Sequence, residues 1–121
     1  MRKQLLSWQW HHYATAHRDR GNLLLHILTA PIFLAGVASL ITGLARLTWP
    51  LAVSGFVALL AVMIVQGRGH RREANPPIAF LGPADVLARI FAEQLITFPR
   101  FVLSGGWLRA WRESAKAPNL A

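Results

Sequence analysis

The stretch LLLHILTAPIFLAGVASLITGLA, Leu23 to Ala45, is apolar apart from His26 and a few Ser, Thr and Gly residues. As a helix rising 1.5 Å per residue it is long enough to cross a hydrocarbon layer of ~30 Å. A second apolar run, WPLAVSGFVALLAVMIV, follows from Trp49 to Val65, with Pro50 in its first turn, where a missing N–H costs little. Only Arg46, Leu47 and Thr48 separate the two, so they are expected to form an antiparallel helical hairpin. Ala35, Ser39 and Gly43 on the first span, and Ser54 and Ala58 on the second, set small residues at the spacing that lets helices approach closely in lipid. Pro31 is expected to kink the first span beyond His26.

Composition agrees with this assignment. Of 121 residues, 54% are hydrophobic and only 15% charged, against roughly 25% charged in a soluble domain. The net charge of +8 would suit nucleic acid, but the arginines flank apolar runs, where anionic lipid headgroups attract the same charge, so no nucleic-acid partner is expected. Absence of cysteine excludes a disulfide framework, a thiolate metal site and a thiol nucleophile. The start, Met1 to Leu6, resembles a signal peptide only until Gln9 and His11 interrupt it, and is read as mature chain. Arg2, Lys3, Arg18 and Arg20 precede the first span and Arg68, Arg71 and Arg72 follow the second, while the connection holds Arg46 alone. The positive-inside rule then places both ends of the hairpin in the cytoplasm, which for a bacterial chain means the inner membrane.

Outside the spans the pattern is amphipathic. A helix is expected over 1–20, broken at Asp19 to Asn22, with Asn22 as N-cap of the first span. Further amphipathic helices are expected over 84–98 and 100–114. In the first, Leu87, Ile90, Phe91, Leu95 and Phe98 follow helical spacing, and Arg89 and Glu93 are placed to pair on the other face. Arg89, Glu93 and Arg100 make this a poor spanning helix, so it is assigned to the interface or to the hairpin's cytoplasmic end. Trp107 and Trp111, with Arg109 and Arg112, suggest an interfacial anchor. The fold class is therefore all-α: one membrane domain over 1–121, a hairpin of two transmembrane helices (23–45 and 49–66) with flanking amphipathic helices.

Polar residues near the spans are few and regularly placed. His17 ends the first amphipathic helix, and Asn22 and His26 stand one turn apart at the start of the first span. Gln66, His70 and Glu73 share one face at the end of the second. An antiparallel hairpin brings these groups to the same depth. Singly, His26 or Gln66 is explained by hydrogen bonding between helices, and Glu73 by pairing with Arg72 or Arg89. His11 and His12, beside Trp10 and Tyr13, are read as interfacial. Together the group would cost several kcal/mol if left unsatisfied at the edge of lipid, so its members satisfy each other or a metal. Imidazole with carboxylate suits iron, zinc, copper or nickel, and two His with one carboxylate is the non-haem Fe(II) pattern. No Ser-His-Asp arrangement, phosphate loop or His-Glu-x-x-His helix is present.

The order Tyr13, His17, Asn22, His26, Pro31, then Gln66, Gly69-His70, Glu73, Asn75 and Pro76-Pro77, resembles the membrane 2-hydroxy fatty acid dioxygenase family. Phe80 to Pro83, Arg89, Glu93-Gln94 and Phe98 to Phe101 look like a bacterial branch of it, so the resemblance runs roughly from Trp10 to Trp107. Fungal members are expected to carry one more residue between the Gly-His and its glutamate, which would turn the Glu73 carboxylate by about 100°. The resemblance implies an Fe(II)-dependent enzyme of fatty-acid α-oxidation that takes a long-chain 2-hydroxy fatty acid and O2. On that basis His17, His26 and His70 hold Fe(II), while Asn22, Gln66 and Glu73 orient imidazoles or accept the hydroxyl proton. Arg68 or Arg71 would guide the substrate carboxylate, and the acyl tail would lie in the hairpin groove or the bilayer. Two rivals stand beside this: a packing or lipid-binding protein with structural histidines, and a metal enzyme on another lipid. A chain with so few spans is also a candidate homodimer.

Overall fold

The structure is a computed structural model, and it describes residues 3–116; Arg2, counted above among the basic flanks, lies outside them. Helix α1 spans Leu5–Tyr13 and is continued by one 3-10 turn, Ala14–Ala16. Two long helices follow, α2 (Arg20–Ala45, 26 residues) and α3 (Trp49–His70, 22 residues), both long and apolar enough to cross a membrane. Then come α4 (Pro83–Ala92), a π-helical turn (Glu93–Thr97), α5 (Phe98–Leu103) and α6 (Gly106–Lys116). No strand occurs among the described residues.

Several boundaries differ from the sequence expectation, each for a local reason. The first helix stops well short of residue 20 because Asp19 turns extended (φ −72°, ψ 133°) and its side chain accepts the Asn22 N–H at 2.9 Å. Asp19, not Asn22, is thus the N-cap of α2, and Asn22 is buried inside the first turn. The spans also reach further than expected, to Arg20 and His70, which draws the polar residues into the helices themselves. Helix α2 continues through Pro31. Gly105, at φ +83°, divides the region expected as 100–114, at the Gly105-Gly106 pair that the sequence itself marks as a break.

The hairpin closes at Leu47 (φ 52°), where the Thr48 N–H donates to the Gly43 carbonyl at 2.8 Å. The close approach of α2 and α3 rests on Gly36 and Gly43 facing Ala52 and Gly55. A Cβ added to Gly55 would lie 2.5 Å from the Leu40 backbone nitrogen, and one added to Gly43 would meet the Ala52 backbone. Of the small residues expected at this contact, Gly43 and Ala58 take part, whereas Ala35 and Ser54 are exposed.

Amphipathicity runs inside out. Leu28, Ile32, Ile41, Val53, Phe56 and Ile64 are half exposed or more, while Asn22, His26 and Gln66 are buried. Helix α4 and the π turn after it behave the same way: Leu87, Phe91 and Leu95 face outward, and Asp85 and Arg89 face in. An apolar outer face over a packed polar one is the arrangement that lipid favours and water does not. The π turn adds a residue to one turn, which carries Gln94, Thr97, Phe98 and Phe101 onto the same buried side. The polar face that carries Arg89 and Glu93 is therefore the packed one, with Arg89 buried and Glu93 largely so. Helix α6 packs on the start of α2, with Trp107 Nε1 donating to the Leu23 carbonyl at 3.0 Å and Arg20 lying 4.1 Å over the Trp111 ring.

Candidate metal centre

Three elements deliver three histidines to one point. His17 leaves the turn after α1, His26 projects from the first turns of α2, and His70 is the last residue of α3. Their ring centroids are 4.8 Å apart in every pairing, and the planes cross at 77° to 90°. His17 is stacked on Tyr13 (3.8 Å, 17°), and its Nδ1–H donates to the Tyr13 carbonyl at 2.7 Å. His26 Nδ1–H donates to the Asn22 carbonyl at 3.0 Å. Each of these bonds fixes a tautomer and leaves Nε2 as the bare nitrogen.

The fourth member is Glu93, from the π turn. Its Oε1 lies 3.5 Å from His17 Nε2 and 3.4 Å from His26 Nε2, and it accepts the Tyr13 hydroxyl at 2.8 Å. Burial alone would raise the Glu93 carboxyl, but the contacts with His17 and His26 hold it well below the ordinary carboxylate range. Tyr13 is shifted upward by burial and then by Glu93, so it stays a proton donor to that carboxylate.

Among the described residues, each imidazole keeps one buried nitrogen without a hydrogen-bond partner, His17 Nε2, His26 Nε2 and His70 Nδ1, as does the Asn22 amide behind them. With a Glu93 oxygen, the ligand atoms lie within 4.8 Å of one another. Leaving such groups unsatisfied costs about 1–3 kcal/mol each. A cation bound at the centre of the imidazoles satisfies all three, and the donor set of three imidazoles and one carboxylate is a hard-to-borderline one suited to a transition metal. This His/Glu group can hold a metal ion.

The other residues singled out from the sequence fall around this centre at different distances. Asn22 is fully buried behind His26 and packs on Gly69, where a Cβ would run into its amide oxygen. Gln66 exchanges two hydrogen bonds with Gln94 (3.3 and 2.6 Å) and donates to Thr29 Oγ1 at 2.9 Å, tying α3 to the π turn and to α2. Glu73 lies outside the imidazole cluster. Its carboxylate accepts the backbone N–H of Arg18, at 2.6 and 2.9 Å, and that of Asp19. It pins the loop that carries His17. Arg68 and Arg71 are exposed and line neither cavity beside the centre.

Glu93 was missed as a member of the site, although a signal existed. Asp85, Arg89 and Glu93 recur every fourth residue opposite Leu87, Phe91 and Leu95, and in lipid such a polar stripe points inward.

Two cavities adjoin the centre. One, of about 150 Å³, opens past Trp8, His12, Thr15 and the Asn75–Ile78 loop. The other, of about 340 Å³, runs between α3 and α4 and is walled by Phe33, Val62, Met63, Val86 and Ile90. Both are bounded by Gln9, His70, Pro77, Arg89 and Glu93. No family model, curated protein or solved structure matches the chain.

Proposed function

We propose that the chain is an iron(II)-dependent dioxygenase of fatty-acid α-oxidation, acting on a long-chain 2-hydroxy fatty acid with O2. The observation that carries this reading is the convergence of three unpartnered imidazole nitrogens and the Glu93 carboxylate at the head of an apolar cavity. Such a donor set suits Fe(II), which when bound supplies the activation of O2.

The reaction balances without a further reductant: one 2-hydroxy acid and one O2 give the acid one carbon shorter, CO2 and water. His17, His26 and His70 would hold the ion, each imidazole presented by the element that carries it. Tyr13 donates its hydroxyl proton to Glu93 beside the ligand nitrogens, so Tyr13 would orient the Glu93 carboxylate as the fourth ligand of the ion. Glu73 acts one step away, by fixing the His17 loop. The apolar walls of the larger cavity take the acyl tail and exclude water. The basic residues Arg18 and Arg20 at the start of α2 and Arg68, Arg71 and Arg72 at the end of α3 support a centre at the cytoplasmic face of the membrane.

The test is O2 uptake by protein reconstituted anaerobically with Fe(II), on addition of 2-hydroxypalmitate, with His70→Ala alongside. Uptake matched by a product one carbon shorter, and lost in the variant, supports the reading. Iron bound without O2 uptake overturns the substrate assignment, and a fold that binds no iron returns the histidines to a structural role.

A further inference from the structure

Arg89 is the cation that the sequence reading left on a surface, and it is 8% exposed. Its backbone carbonyl accepts Gln9 Nε2 at 2.9 Å, which ties it to α1. The guanidinium lies between two aromatic faces, 4.2 Å from the Phe80 centroid and 5.0 Å from that of Trp8. One nitrogen, Nη1, donates to the Ala79 carbonyl at 3.3 Å and stands 3.6 Å from Asp85 Oδ2 as an ion pair. Aromatic faces hold a guanidinium flat and turn its edge, where the N–H groups lie, toward whatever occupies the space beside it.

That space is where the two cavities meet. Arg89 bounds both of them together with His70 and Glu93. On one side the 340 Å³ cavity is apolar, and the outer face of α4 next to it exposes Leu87 and Phe91. The other side is the polar mouth at Trp8, His12 and Asn75. A buried cation at the head of an apolar cavity fits an amphiphilic anion, and the planar guanidinium edge matches a carboxylate through paired hydrogen bonds.

We propose that Arg89 is the carboxylate-binding residue of this protein, seating the acid group of a long-chain acyl ligand beside the His17/His26/His70/Glu93 centre while the tail fills the cavity between α3 and α4. This rests on the reading of that centre as acting on a long-chain acid. It assigns to Arg89 the role that the sequence suggested for Arg68 or Arg71.

Metal-free protein in neutral phosphatidylcholine nanodiscs separates this from catalysis. Equilibrium binding of palmitate is compared with binding of hexadecanol, which has the tail without the charge. The wild type is expected to prefer palmitate, and Arg89→Gln to lose about 10- to 100-fold in palmitate affinity with hexadecanol binding unchanged. Arg89→Lys should retain part of the preference, since it keeps the charge without the planar fork. Because Arg89→Gln removes the Arg89–Asp85 ion pair from a buried site, Asp85→Asn/Arg89→Gln is measured as well, and retained hexadecanol binding reports the fold. Arg68→Gln should bind as the wild type does. Unchanged palmitate binding in the double variant, or loss of the preference in Arg68→Gln, overturns the proposal. Palmitate held through Arg89 in a protein that consumes no O2 would leave this site standing and remove the dioxygenase reading. Unaltered KM for the 2-hydroxy acid in an active Arg89→Gln enzyme would do the reverse.

Discussion

Replacing Glu73 by alanine separates two roles that one carboxylate can play. In the structure its side chain is buried (8% exposed) and takes the N–H groups of Arg18 and Asp19, the two residues that follow His17. Hydrogen bonds to a charged acceptor contribute about 1.5–3 kcal/mol each, and two donors bring the upper bound to about 6 kcal/mol. Arg18 is exposed, so water recovers part of the loss in the variant, and about 3 kcal/mol is the expected cost. For a chain of this size that lowers the melting temperature by on the order of 10 °C. Glu73→Gln keeps a neutral acceptor and should lose about half as much. Because the freed loop carries His17, metal affinity should fall with stability across the two variants. Differential scanning fluorimetry in detergent, with metal content on the same samples, reads both. The reasoning is refuted if Glu73→Ala melts within about 2 °C of the wild type and keeps its metal yet loses activity, because the carboxylate would then be a chemical participant.

Other perturbations test different parts of the account. Gly43→Ala places a methyl against the Ala52 backbone, and overpacking of this kind should cost about 1–3 kcal/mol, read as a lower melting temperature with the metal centre intact. Gln94→Leu strands the Gln66 side-chain oxygen in a buried site and should cost about 1–3 kcal/mol, whereas Gln66→Leu/Gln94→Leu should cost less than the sum of the two single changes, in a double-mutant cycle on thermal stability. Adding Fe(II) anaerobically at about a hundred times its dissociation constant should stabilise the folded wild type by about 2.7 kcal/mol, and His26→Ala should show no such shift.

The spans were legible because lipid imposes a length and an apolar composition that few other structures share, and Leu23 to Ala45 meets both. Hairpin geometry then implied that His26 and His70, far apart in the chain, stand at one depth. The interface between the spans was harder to read. Gly36 and Gly55 differ by one position from the small residues that spacing suggested, and a helix tolerates small residues on any face, so composition does not say which face is in contact. Glu93 and Arg89 were misplaced for a clearer reason. The rule that polar residues face out belongs to water, and α4 turns Leu87 and Phe91 outward while Asp85 and Arg89 pack inside. The π turn also shifts the buried face by one residue after Glu93, which a strict 3.6-residue period does not follow. Glu73 looked chemical because it shares a helical face with His70 in sequence, but α3 ends at His70, and beyond it the chain turns Glu73 toward the Arg18 and Asp19 amides.

The central claim is that His17, His26, His70 and Glu93 hold one metal ion. Its most direct measurement is metal content per chain by elemental analysis after anaerobic loading with Fe(II) and gel filtration. The wild type, His17→Ala, His26→Ala, His70→Ala, Glu93→Gln and Glu73→Gln would be compared, each checked for helicity. The account predicts one ion per wild-type chain, its loss in every histidine variant, a much weaker hold in Glu93→Gln and near-full occupancy in Glu73→Gln. A folded wild type that binds no ion, or an ion kept by the histidine variants, would contradict it.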